Sequence, residues 1–143
     1  MIRSGVRSDA MFKILLIALG GAAGTLLRYS LGGWIQRGLG GGGGAGFPVG
    51  TLTVNVSGCF AIGFLGMMFA SSGSPPVNNT VKMAVLIGVL GGYTTFSSFG
   101  FETLAMAQRG QWPYAAVNVL ASNAAGLCAV WLGYMAARKL FGV

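Results

Sequence analysis

The placement of charge constrains this chain more than any other feature. Only eleven side chains are charged, nine Lys or Arg and two acids, and they leave four long stretches free of charge. The first runs from Ile14 to Leu27 and resumes after Arg28 as Tyr29 to Gln36; the others are Phe47–Ala70, Met83–Phe101 and Gln111–Ala137. A helix rises about 1.5 Å per residue, so roughly 20 residues cross a hydrocarbon core of about 30 Å. The last three stretches hold 24, 19 and 27 residues, which suits one crossing each. Charged residues form 8% of the 143, against about 25% in soluble domains, too few to coat a water-facing surface. The pattern predicts an all-α integral membrane domain: an N-terminal tail of residues 1–11, then one four-helix unit over 12–143, with helices at about 12–36, 47–71, 81–108 and 111–140. A lipid-facing barrel needs many short alternating strands, and these runs are continuously apolar.

The connections are short and carry ordinary stop signals: Gly38–Gly46, Ser71–Asn79 with Pro75-Pro76, and Arg109-Gly110. They predict a compact up-and-down array. The run beginning at Gly38 satisfies G-x-G-x-x-G, but no strand precedes it, so it reads as a flexible linker. Arg3, Arg7 and Lys13 ahead of an apolar stretch imitate a signal peptide; the expectation is a retained span, with Met11 an alternative start to Met1. Cys59 and Cys128 fall inside predicted spans without metal spacing and read as packing residues.

A net charge of +7 would suggest nucleic acid if it were clustered, but no basic run exceeds Arg138-Lys139, so no nucleic-acid partner is expected. An even number of spans puts both tails and the second loop on one side, with Arg3, Arg7, Lys13, Lys82, Arg138 and Lys139. Arg37 and Arg109 lie opposite, with Arg28 near them. A start at Met11 reduces the contrast to four against two or three, which gives the positive-inside rule little to act on. Such a chain is able to insert in both directions, and two opposed copies are able to pair. With no His and only Asp9 and Glu102 as acids, it lacks the acid–base pairs, metal clusters and proton relays of catalysis. It is not expected to be an enzyme.

The polar residues inside the spans carry the functional signal. Gly91-Gly92-Tyr93-Thr94-Thr95-Phe96-Ser97-Ser98-Phe99 straddles the middle of the third span. Paired glycines followed by β-branched threonines are poor helix formers, which predicts a break there. Irregular backbone at that depth must be covered by protein or line a cavity. Thr51 and Asn55 share a helix face, as do Asn118 and Ser122. Phe96 and Phe99 also share a face, and the edge of an aromatic ring is partly positive. Glu102 and Arg28, near span ends, are functional candidates, with snorkelling to the interface as the structural alternative. Helix packing alone is the alternative reading of the glycines and hydroxyls.

Together, Gly20–Gly24 with Arg28-Tyr29, Gly50-Thr51-Leu52-Thr53-Val54-Asn55 with Gly58-Cys59-Phe60, the third-span run with Glu102, and Asn118 with Ser122 closely resemble the Fluc, or CrcB, family of fluoride channels. The resemblance implies a fluoride-selective passive channel exporting the ion across a bacterial inner membrane, built as a dual-topology antiparallel homodimer. It implies pore-lining roles for Phe96 and Phe99, a pore asparagine at Asn55 beside Thr51, a polar track of Asn118 and Ser122, and a vestibule at Arg28. A structural Na+ at the dimer centre would be held by the backbone carbonyls of Gly91 and Thr94. Asn118 stands where some relatives have tyrosine, and Gly126 where some have serine. Two other classes fit the size: an antiparallel exporter resembling the small multidrug transporters, which use a first-span glutamate that this chain lacks, and a non-conducting scaffold.

Overall fold

The computed structural model describes residues 2–39, 46–71 and 77–142, the first seven of them by backbone alone. The glycine-rich segment 40–45, with most of the G-x-G-x-x-G match, and the Pro75-Pro76 turn lie outside the described residues. All the regular structure described is helical: α1 (Ile2–Leu27), α2 (Gly33–Leu39), α3 (Val49–Ala70), α4 (Asn79–Met83), α5 (Leu90–Tyr93), α6 (Phe96–Gln108) and α7 (Trp112–Phe141). Wide π-type turns, Arg28–Gly32 and Ala84–Val89, carry α1 into α2 and α4 into α5. The result is four apolar spans, Asp9–Leu39, Val49–Ala70, Asn79–Gln108 and Trp112–Phe141, each long enough to cross a membrane. The first reaches beyond its expected end at 36 because the π turn keeps the backbone helical past Arg28 and the glycine pair 32–33.

Local chemistry fixes the helix ends. The Asn78 side chain caps α4 by accepting from Thr80 N–H at 2.8 Å, which satisfies one of the donors left open at a helix start. Lys82 Nζ donates to the Phe69 carbonyl at 2.7 Å, so a lysine from the third span closes the carboxyl end of the second, where positive charge is favoured. At the end of α6, Gly110 takes a φ of 74°, and Gln111 N–H reaches back to Met106 O at 2.9 Å. This left-handed turn lets α7 start at once.

Glycine sets how closely the spans meet. The first span crosses the third through Gly20 and Gly24 on one side and Gly88 and Gly92 on the other. A Cβ on Gly20 would lie 2.6 Å from Ala84 O, and one on Gly88 2.7 Å from Ile17 O. The second contact layer pairs α3 with α7, where a Cβ on Gly63 would collide with Val130 O and one on Gly133 with Phe60 O. Such backbone-to-backbone approach is how helices associate where lipid supplies no hydrophobic drive. The buried apolar core is correspondingly small: Val54, Leu90, Met106, Ala115, Ala129 and Ala137. Large apolar side chains such as Trp34, Phe96, Leu120 and Leu127 point outward, the arrangement expected of a multi-pass membrane protein.

Gly91 and Gly92 remain helical. The extended residues come just after them: Thr94 has φ −82° and ψ 156°, and Thr95 has φ −150° and ψ 113°.

Candidate functional site

Two extended residues cannot complete a helical hydrogen-bond ladder, so their backbone groups need other partners. Thr94 N–H still bonds Leu90 O at 3.0 Å, and for Thr95 the partner is Asn55, on α3. Its Nδ2 donates to Thr95 O at 2.9 Å while its Oδ1 accepts from Thr95 N–H at 2.8 Å. Thr95 itself, nearly fully buried, caps α6: its Oγ1 accepts from Ser98 N–H at 3.2 Å and donates to Ser98 Oγ at 3.1 Å. In an unbroken helix Thr95 N–H would go to Gly91 O and Ser98 N–H to Thr94 O. Both donors are diverted, which releases the carbonyls of Gly91 and Thr94.

Phe96 and Phe99 follow on the first turn of α6, with ring centroids 5.3 Å apart and planes tilted by 45°. Phe96 is 82% exposed in the single chain. Behind Phe99 runs a line of hydroxyls and amides: Ser122 Oγ to Asn118 Oδ1 at 3.5 Å, Asn118 Nδ2 to Thr103 Oγ1 at 2.8 Å, and Thr103 Oγ1 to Phe99 O at 2.7 Å. Asn118 is buried to 1% exposure, so its amide serves this line rather than open space. A groove of about 360 Å³ collects Asn55, Thr94, Thr95, Phe96, Phe99 and Ser122, together with Gly91, Cys59 and Asn123. Among the described residues no charged side chain lines it.

A larger cleft, about 750 Å³, opens on the other side of Thr95. Arg28, Arg37 and Arg109 line it, with Thr51, Gln36 and Glu102. Thr51 Oγ1 donates to Glu102 Oε1 at 2.7 Å, and Glu102 Oε2 is buried without a hydrogen-bond partner among the described residues. Gln36 shapes the rim. Its Nε2 donates to Phe47 O at 3.1 Å and its Oε1 accepts from Gly50 N–H at 3.0 Å, which closes the start of α3 against α2.

The structure thus brings Asn55, Phe96, Phe99, Ser122, Gly91 and Thr94 to one groove, while Thr51 and Arg28 sit at the cleft. Asn118 lies behind Phe99, joined to it through Thr103. Sequence reasoning passed over Thr103, Gln36 and Asn123. Thr103 carried a usable signal, since it lies four residues after Phe99, but a threonine bonded to its own helix is common enough to hide it.

Residues 15–134 match the family described as "CrcB-like protein, Camphor Resistance (CrcB)". The chain belongs to the CrcB family. A protein of Solibacter usitatus (strain Ellin6076) named "Fluoride-specific ion channel FluC" is 48% identical over 127 residues, covering 89% of this chain and 99% of the relative. Proteins with the same name from Geobacter metallireducens (46% over 130 residues, 91% of this chain and 100% of the relative) and Thermus thermophilus (44% over 130 residues, 91% and 97%) are similar at comparable length. Every site residue from Arg28 to Ser122 falls inside the CrcB match, so the groove and the cleft are both built from the part of the chain that the family shares.

Proposed function

We propose that this CrcB protein is a passive, fluoride-selective channel that lets fluoride leave the cytoplasm across a bacterial inner membrane. The observation that carries the reading is the uncharged groove around Thr94–Thr95, where neutral hydroxyl and amide side chains stand beside Phe96 and Phe99. A small anion stripped of water must recover several kcal/mol for each lost partner. A lysine or arginine at that depth would hold it too tightly to pass, whereas hydroxyls, an amide and ring edges replace the hydration shell weakly enough for release. The arginine-lined cleft supplies the complementary part. Arg28, Arg37 and Arg109 raise the local anion concentration at one mouth, and Thr95 borders both that cleft and the groove.

The functional unit is an antiparallel homodimer of dual topology, supported by the weak charge bias and by Phe96, which stands exposed at the groove and is to be covered by a second copy. The interruption at Thr94–Thr95 is its midplane break. Na+ is the structural ion of this unit. The carbonyls of Gly91 and Thr94, freed of helical donors, fit it chemically, because oxygen ligands suit small hard cations, and two copies would offer about four of them. When bound, the ion would neutralise carbonyl dipoles that lack helical donors.

The test is fluoride efflux from liposomes bearing the purified protein, with a potassium ionophore as the switch. Electrical channel conduction predicts efflux that starts only when the ionophore lets counter-charge move. Efflux of chloride at the same rate, or none of either ion, would contradict the proposal.

A further inference from the structure

Asn123 is a polar residue of α7 to which neither the sequence reading nor the groove chemistry has given a role. It stands beside Ser122 near the middle of the helix and is exposed, on a face shared with the exposed Val119 and Leu127 four residues to either side. Its Nδ2 donates to Val119 O at 2.7 Å. No other hydrogen bond involves its side chain among the described residues, so one N–H and the Oδ1 carbonyl have no partner among them. Facing hydrocarbon, each such group costs several kcal/mol, and a lipid-facing site is therefore a poor account of it. The groove offers a better one, because Asn123 lines it together with Asn55, Phe96, Phe99 and Ser122. The bond to Val119 O ties the amide to its own helix and leaves a donor over.

We infer that Asn123 is a further residue of the anion path, its remaining N–H standing in for a water of the dehydrated ion beside Ser122 and Phe99. The inference rests on the fluoride-channel reading and adds a specific donor to it. A neutral amide there strengthens the site for a small, strongly hydrated anion without adding a charge that would trap it.

Alanine and serine at position 123 differ by one hydroxyl and make the sharpest pair. Fluoride efflux from liposomes is measured for the unaltered protein, Asn123→Ala and Asn123→Ser, with dimer content read by cross-linking in the same samples. The expected result is a loss of about tenfold or more in Asn123→Ala with the dimer intact, and recovery to within about threefold of the unaltered rate in Asn123→Ser. Normal conduction by Asn123→Ala overturns the inference, and so does an intact Asn123→Ser that is as slow as Asn123→Ala, since a donor at that position then does not restore the path. Loss of the dimer in both variants also overturns it and makes Asn123 a contact between copies. Unaltered protein that conducts no fluoride fails the channel reading itself, a result distinct from any of these.

Discussion

Asn55 is placed to serve architecture and, in the proposed channel, transport as well. Its amide answers both backbone groups of Thr95 and also borders the groove. Asn55→Ala leaves a buried N–H and C=O unanswered, at about 1–3 kcal/mol for each. The expected outcome is a lower melting temperature together with reduced fluoride flux, read by thermal unfolding in detergent and by efflux. Asn55→Asp retains an acceptor for Thr95 N–H but sets a carboxylate against Thr95 O and in the path of an anion. Its flux should fall below that of Asn55→Ala. Equal melting and flux in all three proteins would remove Asn55 from both roles.

At the scale of elements, spacing told which faces matter but not what they meet. Thr51 and Asn55 both point to the third span as their four-residue interval implies, whereas Thr53 between them bonds its own helix through Val49 O at 2.8 Å. The partner of each was not legible. That Thr51 meets Glu102 depends on how α3 lies against α6, and no one-dimensional pattern holds that information. The disruptive character of Gly91–Thr95 could be read from propensity, yet the glycines stay helical. Gly92 lets the first span approach, since a Cβ on it would collide with Gly21 O, while nothing crowds Gly91 among the described residues; the extended backbone falls instead on Thr94 and on Thr95, whose N–H and C=O Asn55 satisfies. The π turns were not legible either. Close approach makes a sharp prediction at Gly24, where a Cβ would overlap Val89 O. Gly24→Val should separate the first and third spans and sharply lower the yield of folded protein. Gly38, with open space around it among the described residues, should accept alanine without loss, and size-exclusion chromatography of the two variants would show the contrast.

At the scale of the molecule, the proposal that copies insert in both directions rests on four spans with a weak charge bias. A cysteine reporter added after Gly142, in a background with Cys59 and Cys128 replaced, should react with an impermeant reagent from both sides of the membrane. Labelling from one side alone would rule out dual topology. The freed carbonyls of Gly91 and Thr94 predict that replacing Na+ by a bulky cation throughout purification weakens the dimer or its activity, and indifference to the cation would remove the structural ion. The central claim is that fluoride passes a neutral groove at Phe96 and Phe99. Isoleucine at either position keeps apolar bulk but removes the positive ring edge. The most direct measurement is ionophore-triggered fluoride efflux from liposomes carrying Phe96→Ile or Phe99→Ile beside the unaltered protein. The account predicts conduction by the unaltered protein and a fall of at least about tenfold in each variant, ~1.4 kcal/mol on the barrier, with dimers intact. Both variants conducting at the unaltered rate as folded dimers would contradict it.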